Sequence, residues 1–195
     1  MLHLSNKQID LPTLQTFLGE CLTHYSPLII AIDGRCGAGK TTLASILQQQ
    51  LGAVVISADD FFLRPEQRTP ERFAQPGGNM DRERLAEEVL IPLREGRPFS
   101  YRPFDCHTLT LGEPIQVETS PLIIVEGSYS CHPDLWDYYD LHVFVDVVPD
   151  EQIARITRRE GAEKAEVFKA RWIPLEERYF SHYGVQEKCD AVIRL

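Results

Sequence analysis

Gly34-Arg35-Cys36-Gly37-Ala38-Gly39-Lys40-Thr41 fits the pattern G-x-x-x-x-G-K-[ST] at every fixed position. Glycines let such a backbone curl until successive N–H groups aim at one anion. A helix starting at the end of the loop adds the partial positive charge of its N-terminus. Lys40 then reaches the β- and γ-phosphates of a nucleoside triphosphate, the Thr41 hydroxyl ligates Mg²⁺, and Thr42 completes the cradle. ATP and Mg²⁺ are the cofactors this segment predicts. Cys36 sits beside Lys40 and a helix N-terminus, a setting that acidifies a thiol. A redox role and a plain small side chain both fit it, the second more simply.

A phosphate loop alone serves GTPases, ATPases and kinases alike, so the acidic and basic groups elsewhere must decide. Ser57-Ala58-Asp59-Asp60-Phe61-Phe62 follows an apolar run. Carboxylates at the C-terminal end of a strand face the ligand crevice of an α/β sheet. One of Asp59 and Asp60 could take the proton of an attacking hydroxyl, although Asp-Asp is also common in turns. Leu122-Ile123-Ile124-Val125 runs into Glu126-Gly127. A carboxylate closing a buried strand is the Walker B arrangement and predicts that Glu126 holds Mg²⁺ with Thr41. Arg155, Arg158 and Arg159 stand at i, i+3 and i+4 and share one helical face. Alone they read as a solvated face paired with Glu151 and Glu160. Beside a phosphate loop they read as a basic lid over the transferring phosphoryl group, at about residues 155–172. No Asn/Thr-Lys-x-Asp segment for reading guanine is present.

These groups need a frame. Short apolar runs at 28–32, 54–56, 122–125, 141–145 and 191–193 read as strands, the last as an edge. Helical spacing predicts helices at 12–24, 40–51 and 81–94 and a charged helix opening at Pro149-Asp150-Glu151. Continuous apolar strands alternating with helices indicate a parallel sheet covered on both faces. The expected fold is therefore an α/β, P-loop NTPase three-layer sandwich with a parallel sheet of about five strands. Two stretches, Arg64–Met80 and Pro98–Pro121, are rich in Pro, Gly and charge, and they predict substrate contacts.

The chain has 195 residues, the size of one domain, with 43% hydrophobic and 25% charged residues, which excludes disorder. No apolar run is long enough to span a bilayer, and Met1–Lys7 lacks the pattern of a signal peptide. Five cysteines without a Cys-x-x-Cys pair predict free thiols and a cytoplasmic setting. A net charge of −9 argues against nucleic acid and membrane partners. ATP and a small hydroxyl-bearing acceptor are the expected partners, with homo-oligomerisation left open.

Together the motifs resemble the uridine kinase-like branch of P-loop kinases, which includes nicotinamide riboside kinase, phosphoribulokinase and bacterial pantothenate kinases. The resemblance runs from about Pro27 to the C-terminus. It rests on Gly34–Thr41, Asp59-Asp60-Phe61-Phe62, Tyr101-Arg102-Pro103-Phe104-Asp105-Cys106-His107, Ile124-Val125-Glu126-Gly127 and Arg155–Arg159. It implies a single kinase domain over 1–195, with an N-terminal helical extension at 1–26 and an acceptor-binding hairpin at about 98–118. It implies transfer of the γ-phosphoryl group of ATP to a hydroxyl, foremost the 5′-OH of a ribonucleoside. A vitamin-like alcohol, a sugar phosphate, or a non-catalytic switch are the alternatives. By the same resemblance, Asp59 is the catalytic base, Arg158 the lid arginine, and Asp60, Phe61, Asp81, Tyr101, Phe104 and His107 contact the acceptor. Uridine kinases read the pyrimidine with a Tyr-Asp pair and a histidine. Here that pair is Phe104-Asp105, which offers a ring to stack on but no hydroxyl.

Overall fold

The computed structural model describes Leu4, residues 7–118 and residues 120–195. The five residues of the 1–26 extension numbered 1–3, 5 and 6 lie outside that range, as does Thr119 in the 98–121 stretch. Helix α1 (Leu11–Leu22) opens where the Asp10 side chain accepts the Thr13 N–H at 2.9 Å, with Pro12 in the first turn, where its missing N–H costs nothing. It is followed by strand β1 (Leu28–Gly34), helix α2 (Lys40–Leu51) and strand β2 (Val54–Ser57). Gly52 closes α2 in the left-handed conformation, as its position after the last apolar residue predicts.

Strands β3 (Phe99–Tyr101), β4 (Phe104–Asp105), β5 (Thr110–Leu111) and β6 (Ile115–Val117) form two antiparallel rungs, β3 with β6 and β4 with β5. A bent hairpin therefore fills the predicted 98–118 stretch. Strands β7 (Leu122–Glu126), β8 (Leu141–Asp146) and β9 (Ala191–Arg194) complete the main sheet, whose order is β2-β7-β1-β8-β9 with every pair parallel.

The unbroken apolar runs of β1 and β7 are explained by two cores. Ile29, Ala31, Ile123 and Val125 face one cluster with Phe61, Val89 and Tyr179. Leu28, Ile30, Ile32, Leu122 and Ile124 face the other with Leu14, Leu18, Leu43 and Leu47 of the first two helices. Alternate residues of one strand go to opposite layers, and both layers are buried. This is the expected three-layer α/β sandwich.

Two expected helices are more segmented than their periodicity implies. The 81–94 helix runs as Arg82–Leu85, a π turn at Ala86–Leu90, and Ile91–Arg94. The basic window splits at Gly161 (φ 88°) between the Pro149–Glu160 helix and Ala162–Val167, which continues through a π turn at Phe168–Trp172 into Ile173–Tyr183. Each π turn ends two residues before a proline, Pro92 or Pro174, which has no N–H for the regular i−4 bond.

Candidate active site

A cavity of about 770 Å³ opens at the C-terminal ends of β1, β2 and β7. That volume is in the range of small-molecule sites. Its floor is the phosphate loop, with Cys36, Gly37, Gly39, Lys40, Thr41 and Thr42 on the wall. The loop leaves β1 at Gly34, whose φ of 136° suits glycine. A Cβ there would lie 2.1 Å from the Val145 carbonyl oxygen of the neighbouring strand. Lys40 Nζ donates to the Gly34 carbonyl at 2.7 Å and to Ser128 Oγ at 3.3 Å.

The loop is gripped from behind by the Ile173–Tyr183 helix. Glu176 accepts the Cys36 N–H at 2.9 Å and the Ser128 hydroxyl at 2.6 Å. Tyr179 donates at 2.9 Å to the fully buried Asp33, which also accepts the N–H groups of Gly34, Tyr129 and Cys131. Burial pushes the Asp33 carboxyl up to about 6 against the lowering effect of these bonds and of Lys40. Arg35 turns away from the cavity to Glu177, at 2.7 Å, and to Asp146, with its guanidinium beside the rings of Phe144 and Phe180. Gly34, Arg35 and Ala38 lie outside the cavity lining, so of the loop only its other members face the ligand. The expected acidic Cys36 thiol is corrected. Burial, and secondarily the Glu176 carboxylate, push its pKa well up, overriding Lys40.

Asp59 and Asp60 lie just beyond the end of β2. They sit in a 3₁₀ turn, Ala58–Phe61, begun by the Ser57 hydroxyl accepting the Asp59 N–H at 3.3 Å. The turn sends the pair apart. Asp59 lines the cavity, open to its solvent yet crowded by protein, and desolvation raises its pKa while Lys40 and Arg159 oppose the rise. Asp60 points behind the wall and accepts the Tyr101 hydroxyl at 3.0 Å. Glu126 is buried at the end of β7 and takes the Thr41 hydroxyl at 3.2 Å. Its pKa is raised by burial and then by the charge of Asp59. A hydroxyl and a desolvated carboxylate on one side of a phosphate cradle are a donor set suited to a hard divalent cation, so these residues fit Mg²⁺.

Other expected contacts fall elsewhere. Phe61 is fully buried in the core against Tyr101, and its neighbour Phe62 takes the cavity face, because the 3₁₀ turn rotates the pair by one position. Asp81 is buried as the N-cap of the Arg82–Leu85 segment, with Arg64 at 3.3 Å, and does not reach the cavity. Tyr101 and Phe104 are buried outside the lining, and His107 is exposed at the hairpin tip, its N–H bound by Asp105. Cys106 is the tip residue that lines the cavity. In the basic window Arg155 and Arg159 line it, whereas Arg158 is exposed outside it. Arg155 is also tied to Glu151 at 2.7 Å and to the Ala38 carbonyl at 3.2 Å. Lining residues that the sequence does not single out are Phe62, Arg68, Phe73, Asn79, Cys106, Ser128, Tyr129, Glu160, Phe168, Arg171, Trp172 and Glu176. Only their location in the two Pro- and Gly-rich or basic stretches hinted at most of them.

A phosphate loop between β1 and α2, with acidic groups ending β2 and β7, places the fold in the P-loop α/β class. The model of the phosphoribulokinase/uridine kinase family matches residues 29–170, and the chain belongs to that family. Among similar proteins, uridine kinase-like protein 3 of Arabidopsis thaliana is 30% identical over 152 residues, 72% of this chain and 32% of the relative. A uridine kinase of Ureaplasma parvum is 26% identical over 156 residues, 74% of each chain. The chain thus spans about a third of the length of the plant relatives. A solved protein of Bacillus stearothermophilus described as a "possible uridine kinase" superposes with a TM-score of 0.66 at 22% identity, over 94% of this chain and 98% of that one. A candidate fructose transport system kinase from Silicibacter gives 0.69 at 20% identity over the same shares. These two likenesses bear on the fold.

Proposed function

We propose that the chain is an ATP-dependent phosphotransferase that moves the γ-phosphoryl group to a hydroxyl of a small molecule. The 5′-hydroxyl of a ribonucleoside is the first candidate, on the names of the sequence relatives. The observation that carries the reading is convergence: Lys40, Thr41, Asp59 and Glu126 line one cavity although they come from three separate strand ends.

The backbone of Gly37–Thr42 and the Lys40 ammonium bind the phosphates. Thr41 and Glu126 hold Mg²⁺, which when bound neutralises charge on the β- and γ-oxygens. Asp59 aligns the acceptor hydroxyl and takes its proton as the new oxygen–phosphorus bond forms. Its raised pKa makes it a better base, and activity declines as acidification protonates it. Arg159 supplies positive charge from the Pro149–Glu160 helix, and the 155–172 wall excludes water. A non-nucleoside acceptor is the second reading. It is favoured by the positions of Phe104 and His107, neither of which lines the cavity. Single-turnover transfer by Asp59→Asn tests the assignment: loss of transfer with retained ATP binding is expected, and wild-type transfer overturns it.

A further inference from the structure

Eight arginines stand between residues 64 and 102. Six of them, Arg64, Arg72, Arg82, Arg84, Arg94 and Arg97, pair with carboxylates within 4 Å. Arg102 is held by the carbonyls of Leu111 and Gly112. Arg68 differs from all seven. Of the eight it alone lines the cavity, and it has no carboxylate within 4 Å among the described residues. It is nonetheless fixed in place. Its Nε donates to the Leu63 carbonyl at 2.8 Å, and its guanidinium lies 5.5 Å over the ring of Phe104. The ring face expected to stack on an acceptor is thus covered by Arg68.

The guanidinium lies on the acceptor side. The positive charge of Arg68 acts on the Cys106 thiol at the hairpin tip, which also feels the charge of Asp59. Phe62, Phe73 and Asn79 line the cavity from the same 62–80 segment. With Nε used, the terminal N–H groups remain, and a guanidinium held this way matches two oxygens of one anion.

We propose that the acceptor carries an anionic group, a carboxylate or a phosphate monoester, besides the hydroxyl that is phosphorylated, and that Arg68 binds it. The proposal rests on the phosphotransferase reading and narrows its acceptor. Phe62 and Phe73 cover the apolar part of such a molecule, and Asp59 meets its hydroxyl.

The test is ADP release from Mg²⁺-ATP with matched neutral and anionic alcohols. The pairs are uridine and its 6-carboxylate, ribose and ribose 5-phosphate, and panthenol and pantothenate, so that carboxylate and phosphate are separated. In at least one pair the wild type should favour the anionic member by tenfold or more in kcat/KM. Arg68→Gln should reduce that preference by about 10- to 100-fold, as for a lost hydrogen bond to a charged group. Arg68→Lys should restore part of it, and Arg97→Gln, which removes the same charge elsewhere, should leave the preference intact. Preference for the neutral members, or equal losses for both members in Arg68→Gln, overturns this proposal while the phosphotransferase reading stands. Turnover of no member of any pair by the wild type overturns both.

Discussion

The two ends of the cavity are built on different principles. At the phosphate-loop end the wall is the 36–42 turn, and the side chains around it are braced: Arg35 on Glu177, Glu176 on the Cys36 N–H, Tyr179 on Asp33. At the end proposed for the acceptor the wall is side chains from a 3₁₀ turn, two short helices and a hairpin tip. The phosphates of a nucleotide offer the same oxygens whatever the acceptor, so a rigid cradle suits the proposed reaction. An acceptor differs between enzymes, and its recognition falls to loops that can be rebuilt without moving the sheet.

The contrast breaks most directly at Lys40. Lys40→Ala removes a charge that grows in value as the transition state forms, and about a thousandfold loss of turnover is expected. The melting temperature should barely move, because the bonds of Lys40 to Gly34 and Ser128 are duplicated by the Glu176 and Asp33 contacts to the same loop. Steady-state kinetics with calorimetry checks both. Near wild-type turnover would remove the phosphate end from the chemistry.

Next in size is the pair at the border of the two ends. Asp59→Asn should lose about a hundredfold in single-turnover transfer, the lower part of the range for a general base. Asp60→Asn should lose about tenfold or less, mainly through acceptor KM, since Asp60 acts by holding Tyr101. A larger loss for Asp60→Asn reverses the assignment. In the wild type, kcat/KM should fall on the acid side with an apparent pKa above the ordinary aspartate range, in keeping with the desolvation of Asp59.

How far each end could be read from the chain follows from the same contrast. Glycines and Lys-Thr at fixed spacing specify backbone geometry locally, so the loop, the five strands and Glu126 were legible. The acceptor end was not, because direction there depends on a rotation of one residue: the 3₁₀ turn put Phe62 where Phe61 was expected. Arg68 was hidden among eight arginines whose partners include Asp134 and Asp140, far along the chain. The rise of the Cys36 pKa is not written in its neighbours along the chain, because it comes first from burial and then from Glu176, 140 residues away. Asp81 kept the capping role its type allows and not the binding role implied by resemblance.

A smaller effect separates the neighbouring arginines of the lid. Arg159 lines the cavity and Arg158 does not, so Arg159→Ala should lower kcat about tenfold and Arg158→Ala less than twofold. Resemblance favoured Arg158, and a larger loss there would mean that the wall turns on closure.

The smallest expected effect concerns stability and tests the bracing itself. Burial holds the Asp33 carboxyl at about 6 in the fold, against the ordinary aspartate value of 3.8. Because the folded value is raised, the folded protein binds more protons than the unfolded chain between these two values. Stability from this group is therefore full below about pH 4 and is lost as pH rises through 6. The span corresponds to at most about 3 kcal/mol, or several degrees of melting temperature in a chain of this size. In Asp33→Asn the titration is gone, and an amide cannot accept all four donors that converge there. The variant should melt below the wild type at every pH, with a gap that is widest below about pH 4 and narrows toward pH 7. A constant gap would mean that Asp33 holds no extra proton in the fold. Lys40 opposes the rise of the Asp33 pKa, so in Lys40→Ala the narrowing should move to higher pH. That displacement, measured by melting curves across the same pH series, would show that the brace behind the loop and the charge in front of it are coupled.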